Sequence, residues 1–189
     1  KLLPPKKQTL FFSATMPAEI TRLVGQFLND PVRIEAAKPA TTAKTITQRF
    51  VFCRDSEDYA KREILRQLLK SENVRNAIIF CNRKREVAVV YKSLQKHGFS
   101  VGALHGDMDQ SARLKTLLAF RNNEITYLIA SDVAARGLDI PEVSHVFNYD
   151  VPTHAEDYVH RIGRTGRAGR EGFSATLVTD DDMRTLRDI

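Results

Sequence analysis

The sequence predicts an α/β domain built on a parallel sheet with helices on its faces. Three observations lead there. The run NAIIFC (76–81) is apolar almost throughout, without the polar alternation of a strand that has one wet face. Such runs alternate with stretches whose apolar residues recur at helical spacing. Short loops join them, so successive strands are reached by helical crossovers and point the same way.

Each element can be justified in turn. TLFFSAT (9–15) is a short apolar run with strand character, and Pro17 opens an amphipathic stretch with Ile20, Leu23, Val24 and Phe27 on one face. Asn29-Asp30-Pro31 ends it, and VRIEA (32–36) reads as one more strand. KPATTAKT (38–45) has no periodicity and no large apolar side chain, which is the composition of a linker. From Ile46 to Cys53 the chain reads as a strand. Asp55 or Ser56 can then cap a helix whose apolar face carries Ile64, Leu65, Leu68 and Leu69. After NAIIFC, Val87, Val90, Tyr91 and Leu94 form a helical stripe closed by His97-Gly98. SVGALH (100–105) is a strand, Leu114, Leu117 and Leu118 mark a helix, and TYLIAS (126–131) is the next strand. VSHVFNYDVP (143–152) is a strand stopped by Pro152, a helix starts near His154, and GFSATLVT (172–179) alternates as a strand. DDDMRTLRDI begins a helix at an acidic cap. Ligands on parallel sheets gather beyond the carboxyl ends of the strands, which directs attention to the segments after Cys81, His105, Ser131 and Tyr149.

A chain of 189 residues has room for one domain, or for one domain and a piece of another. With 42% apolar and 28% charged residues it can bury a core without disulfides or metals. The 29 basic residues exceed the 23 acidic ones, a balance of +6 that suits a polyanionic partner without requiring one. Cys53 and Cys81 sit inside apolar runs, outside any CxxC or Cys/His cluster, and read as buried reduced thiols of a cytoplasmic protein. No apolar stretch approaches the roughly 20 residues that span a bilayer, so no membrane is expected. The opening KLLPPKKQT lacks the apolar run of a signal peptide, and without an initiator Met it reads as an internal boundary.

Two stretches carry the chemistry. In HRIGRTGRAGR (160–170) four arginines fall three apart with glycines between them. A structural helix would not carry so many glycines cheaply, at about 1 kcal/mol each against Ala. Glycines allow close backbone approach to a ligand, and guanidinium forks match phosphate oxygens in pairs. The pattern therefore points to a phosphate site, without saying whose phosphate, and its alternative is a basic surface turn. In ASDVAARGLDIP (130–141), Ser131 and the backbone N–H groups after it can hold a phosphate. Asp139 there either accepts ribose hydroxyls or caps a turn.

HRIGRTGR and SDVAARGLDIP together resemble motifs VI and V of the DEAD-box RNA helicases. Ser13-Ala14-Thr15 resembles motif III, IIFCNRK (78–84) motif IV, Gln110-Ser111-Ala112-Arg113 the QxxR element, and His105-Gly106-Asp107 a further stretch of that family. They occur in the family's order across nearly the whole chain. The resemblance implies a RecA-like parallel sheet flanked by helices. It makes 46–189 the second RecA-like, helicase C-terminal domain, 38–45 the linker, and 1–37 a remnant of the first domain that includes the SAT motif. It implies that Arg164 and Arg167 are arginine fingers on the ATP γ-phosphate, that His160 and Arg136 couple to the first domain, with Arg136 also among the nucleotide contacts, and that Asp139 meets the ribose. RNA would be held by Ser131, Arg113, Gln110, Gly106 and Arg83, while Ser13 and Thr15 would link hydrolysis to strand separation. Two positions depart from the pattern. Ser131 replaces the usual Thr and keeps the hydroxyl; Arg83 stands where many members have Thr. Arg83, Lys84 and Arg85 are either phosphate contacts or the solvated start of a helix.

The phosphate loop GxxxxGK[ST] and the Asp-Glu-Ala-Asp box are not in this sequence. In the family both belong to the first domain, which would also hold most of the Mg²⁺ coordination. The expected partners are thus RNA, ATP or ADP, and the missing first RecA-like domain, and this chain alone is expected to be inactive. A DNA helicase or translocase of the same superfamily is the rival reading, disfavoured because such proteins usually carry a Gln-containing motif VI. A non-catalytic RNA-binding module would be expected to show a decayed motif VI, whereas here it is intact.

Overall fold

The computed structural model describes residues 4, 6–13, 16, 18–34, 45–54, 58–136, 138–187 and 189. Internal contacts divide the chain into two units, Lys1–Thr41 and Thr42–Ile189. In the first unit the regular element among the described residues is α1 (Ala18–Phe27), none of whose residues is buried. Leu23 and Phe27 lie on the expected apolar face and remain exposed. Residues 10–13 and 32–34, expected as strand, have no regular structure. A strand needs a neighbour to bond, and no strand of this unit is described. Pro17, expected to open the helix, lies outside the described residues.

The second unit contains β1 (Ile46–Phe52), α2 (Asp58–Ser71), β2 (Ala77–Cys81), α3 (Lys84–Lys96), β3 (Val101–Leu104), α4 (Gln110–Arg121), β4 (Tyr127–Ser131), α5 (Asp132–Ala135), β5 (His145–Asn148), α6 (Ala155–Ile162), β6 (Gly172–Val178) and α7 (Met183–Leu186). All six strands are parallel, in the order β1-β6-β5-β2-β4-β3. The expected parallel sheet is present. Asp55 and Ser56, expected to cap α2, lie outside the described residues, whereas α4 is capped by Asp109, whose carboxylate accepts the Ala112 N–H at 2.8 Å.

Successive residues of β2 face opposite sides, and this splits the core in two. Ile79 joins Leu65, Val87, Leu94 and Phe147 beneath α2 and α3. Ile78 and Phe80 join Leu117, Phe120, Leu128 and Val146 on the side of α4 and α5. One expectation needs correction. In β6 every residue but Phe173 is buried, because the strand lies between β1 and β5. The apparent alternation came from Ser174 and Thr176, which are small enough to bury; Thr176 Oγ1 accepts from Asn148 Nδ2 at 2.9 Å. The helix expected from Leu114, Leu117 and Leu118 is present as α4, which buries Leu117 and leaves Leu114 54% and Leu118 46% exposed. The last segment begins as a short 3₁₀ turn over Asp180–Asp182, held by reciprocal bonds between Thr179 and Asp182, and only then becomes helical.

Two outcomes follow from this packing. Phe147 is fully buried, so Phe147→Ala should lower unfolding stability by about 3–5 kcal/mol, whereas Leu114→Ala should change it by no more than about 0.5 kcal/mol, both read from denaturant midpoints. His145 stacks on Phe147 and its ring is packed against Phe173. Burial holds its imidazole below the ordinary 6.5, with Arg75 acting in the same direction and Glu72 against it. Because the unfolded chain then binds the proton more readily, stability is present above 6.5 and lost as pH falls below it. Stability measured against pH should therefore flatten in that window in His145→Phe.

Candidate functional site

The segments leaving the carboxyl ends of the strands hold most of the expected RNA contacts. Arg83 follows β2 as the exposed first-turn boundary of α3, and Gly106 follows β3, also exposed. Gln110 and Arg113 occupy the first turn of α4, and Ser131 ends β4. These segments are tied to one another. Lys84 Nζ donates to Asp107 at 2.8 Å, linking the loops after β2 and β3 and holding the Asp107 carboxyl below its usual range. Arg113 donates to the Ala134 carbonyl at 3.1 Å, fastening α4 to α5, while its buried Nε has no partner. Ser131 is buried and its hydroxyl makes no capping bond. Arg83 makes no ion pair among the described residues, so it stays available to a phosphate.

Arg161 binds these loops together. Helical side chains lean toward their own N-terminus, and that lean carries the guanidinium of Arg161 back to the carboxyl ends of the strands. It grips Asp132 bidentately, Nε to Oδ1 at 2.8 Å and Nη2 to Oδ2 at 2.6 Å. It also donates to Asn82 Oδ1 at 2.6 Å and to the Asp150 carbonyl at 2.8 Å, with Phe80 beneath it. The loops after β2, β4 and β5 thus share one cation that is 2% exposed. The even spacing of the four arginines concealed this. Arg161 shares the buried face of α6 with Tyr158 and Ile162, a helical period that was the available signal.

The turn bearing Arg164 and Arg167 lies at the opposite, amino edge of the sheet. The Val143 N–H donates to the Arg164 carbonyl at 3.1 Å, and Thr165 Oγ1 donates to the Ser144 carbonyl at 3.0 Å, both just before β5. Thr45 Oγ1, just before β1, donates to the Gly166 carbonyl at 3.2 Å. Gly166 has φ of 68°, and a Cβ there would stand 2.7 Å from Ile46. Close approach is therefore the reason for this glycine, but what it approaches is the protein's own β1. Glu142 accepts the Arg167 backbone N–H at 2.9 Å and pairs with the Arg170 guanidinium, which removes Arg170 from the free cations. Arg167 Nε donates to the Gly163 carbonyl at 2.8 Å. The Arg164 side chain is half-buried and makes no ion pair or hydrogen bond among the described residues. Burial, and then the charge of Arg167, lower its affinity for its proton.

The other expected residues are dispersed. Arg121 pairs with Asp139, whose side chain is 95% exposed. Arg136 pairs with Asp157 at 2.6 Å, and His160 is exposed on the same helix. Ser13 is exposed within the first unit; Thr15 lies outside the described residues. Among the described residues no cluster of His, Cys, Asp and Glu could hold a metal ion, and no helix is long and apolar enough to cross a membrane. Cys53 and Cys81 are buried and unpaired, and burial raises the pKa of both thiols.

Residues 60–169 match the helicase conserved C-terminal domain. The chain belongs to that family. Its relatives are DEAD-box proteins: it is 44% identical to the ATP-dependent RNA helicase CshA of Limosilactobacillus reuteri, over all of this chain and 37% of that protein. It is likewise 44% identical to the DEAD-box ATP-dependent RNA helicase RhpA of Helicobacter pylori, over 97% of this chain and 37% of that one. The helicase domain thus spans less than half the length of the curated relatives it matches. Among solved structures, S. cerevisiae Dbp5 bound to RNA and ADP BeF3 superimposes with a TM-score of 0.85 at 33% identity, covering 98% of this chain and 49% of that one. The E. coli DEAD-box protein SrmB, bound to the regulator RraA, gives 0.72 at 37% identity over 77% and 85%. The expected RecA-like helicase fold is confirmed.

The buried Arg161–Asp132 pair makes a prediction for this domain. Asp132→Asn should cost about 3–5 kcal/mol, because it strands a buried guanidinium, and Arg161→Met should cost less, because the carboxylate it leaves behind is 23% exposed. In a double-mutant cycle the combined variant should lose clearly less than the sum of the two.

Proposed function

We propose that this chain is the second RecA-like half of an ATP-dependent RNA helicase, with 1–37 the tail of the first RecA-like domain and 38–45 the linker. The observation that carries the reading is the pair Arg164 and Arg167, two neighbouring guanidinium groups, one half-buried, with no carboxylate on Arg164. An anion arriving there would relieve a repulsion already present in the fold. A γ-phosphoryl group in transfer is such an anion, its developing charge met by donors that need not reorganise. Asp139 would take the ribose, its exposed carboxylate exchanging Arg121 for hydroxyls. Arg136, also a nucleotide contact, and His160 on the same side of α6 would face the first domain, to which Ser13 and Thr15 would belong. At the other edge Ser131, Arg113, Gln110, Gly106 and Arg83 would grip the RNA backbone, which carries no sequence information. Mg²⁺ would be held mainly by the first domain, which in the family carries the Asp-Glu-Ala-Asp box. ATP binding would close the two domains on the strand and hydrolysis would release them. A cytoplasmic location belongs to this reading and is supported by the buried, unpaired thiols.

The test uses the complete protein. Arg164→Ala or Arg167→Ala should lower kcat at saturating RNA and ATP by roughly two or more orders of magnitude, on the scale of an arginine finger. RNA affinity with a non-hydrolysable ATP analogue should fall far less, and Lys should rescue poorly because it lacks the fork. The 189-residue chain alone should show no RNA-stimulated hydrolysis. Near-normal kcat with weakened RNA binding would instead make this turn an RNA grip.

A further inference from the structure

We infer that the free edge of β3, with the groove beside it, docks an extended acidic segment of another protein. β3 is the last strand of the sheet and, among the described residues, bonds only to β4. The Tyr127 N–H donates to the Ser100 carbonyl at 2.9 Å, and in this parallel register alternate residues turn toward β4. The N–H and C=O groups of Val101 and Ala103 consequently point out of the sheet. A groove of about 480 Å³ runs along that edge between α3 and α4. Tyr91, Met108 and Ile125 give it an apolar lining, and Lys92, Lys115 and His105 supply its polar tips. No Asp or Glu lines it, and neither lysine forms an ion pair among the described residues. His105 Nδ1 is shut away from solvent without a hydrogen-bond partner.

These features select the occupant. An open strand edge presents donors and acceptors in alternation, and an added strand satisfies both. RNA phosphates offer acceptors only, and although ribose hydroxyls can donate, they do not repeat with the alternating N–H and C=O groups of a strand edge, so the edge fits an extended polypeptide better than RNA. A second copy paired edge to edge would set Lys92 and Lys115 against their own counterparts, a like-charge approach that costs binding. A polypeptide alternating carboxylates with small apolar side chains meets the lysines, the lining and the strand edge together. The site lies apart from the two arginines of the proposed nucleotide site and does not depend on that reading.

The probe is a capped synthetic peptide alternating Asp or Glu with Val, added to the 189-residue chain and followed by amide exchange and chemical shifts. In the free chain the Val101 and Ala103 amides should exchange faster than those of Gly102 and Leu104. The peptide should slow both by about tenfold or more at saturation. Methylation of alternate peptide nitrogens should abolish that protection, and Lys92→Glu with Lys115→Glu should weaken binding roughly fivefold or more with the melting temperature unchanged. Four results would overturn the inference: no protection at millimolar peptide, protection indifferent to methylation and charge, protection produced by oligouridylate instead, or protection that rises with chain concentration alone.

Discussion

One buried guanidinium organises this domain. Arg161 must be paired because an isolated charge at 2% exposure would be far too costly to bury. Its partners come from three separate strand ends, which it holds together. Asp132 is the residue directly after Ser131, and Asn82 directly precedes Arg83, so the pairing positions both neighbours without touching any ligand. A lysine could not do this, since a point charge cannot address a carboxylate, an amide oxygen and a carbonyl in one plane.

The same residue links two distant edges of the sheet. Arg161 sits in the last turn of α6 with its side chain reaching the carboxyl ends, while Arg164 and Arg167 follow in the turn at the amino ends. The proposed RNA contacts after β2, β3 and β4 follow the rule that ligands collect beyond the carboxyl ends. That rule does not hold for the arginine turn, which is carried across the thickness of the sheet by α6. A displacement of α6 along its axis would therefore be felt at both edges, because its cation and its following turn are each bonded to the sheet.

Much of this was legible in the sequence, for physical reasons that can be named. The run NAIIFC read as a strand covered on both faces because it is apolar almost throughout, TYLIAS read as a further strand, and β2 and β4 are both buried throughout. The helical stripe of α3 was equally plain, and its end at His97-Gly98 matches a glycine with φ of 80°. The strand order was not legible, because helical period and loop length say that strands are parallel but not which are neighbours. Small residues misled at β6, where Ser174 and Thr176 imitated an exposed face. At α4 periodicity marked the helix, yet it could not tell the buried side from the outer one. At the site, spacing singled out the arginines but could not separate the buried one from those left open, since that depends on partners 29 and 79 residues away.

The division of labour among those four arginines supports the proposed nucleotide site. Arg161 and Arg170 each have a carboxylate, so their charge is met within the fold. Arg164 and Arg167 share one turn, and the proton affinity of Arg164 is depressed by burial and by its neighbour. A fold selected only for stability would place an acid beside Arg164, as it placed Glu142 beside Arg170. Glu142 instead bonds the Arg167 backbone N–H, shaping the turn while leaving the Arg164 guanidinium unneutralised. Retaining two adjacent cations in this way is a local cost of the kind that functional sites carry. In the proposed nucleotide site that cost would be removed by an anion with several oxygens, a requirement that a transferring phosphoryl group fits better than a single carboxylate does.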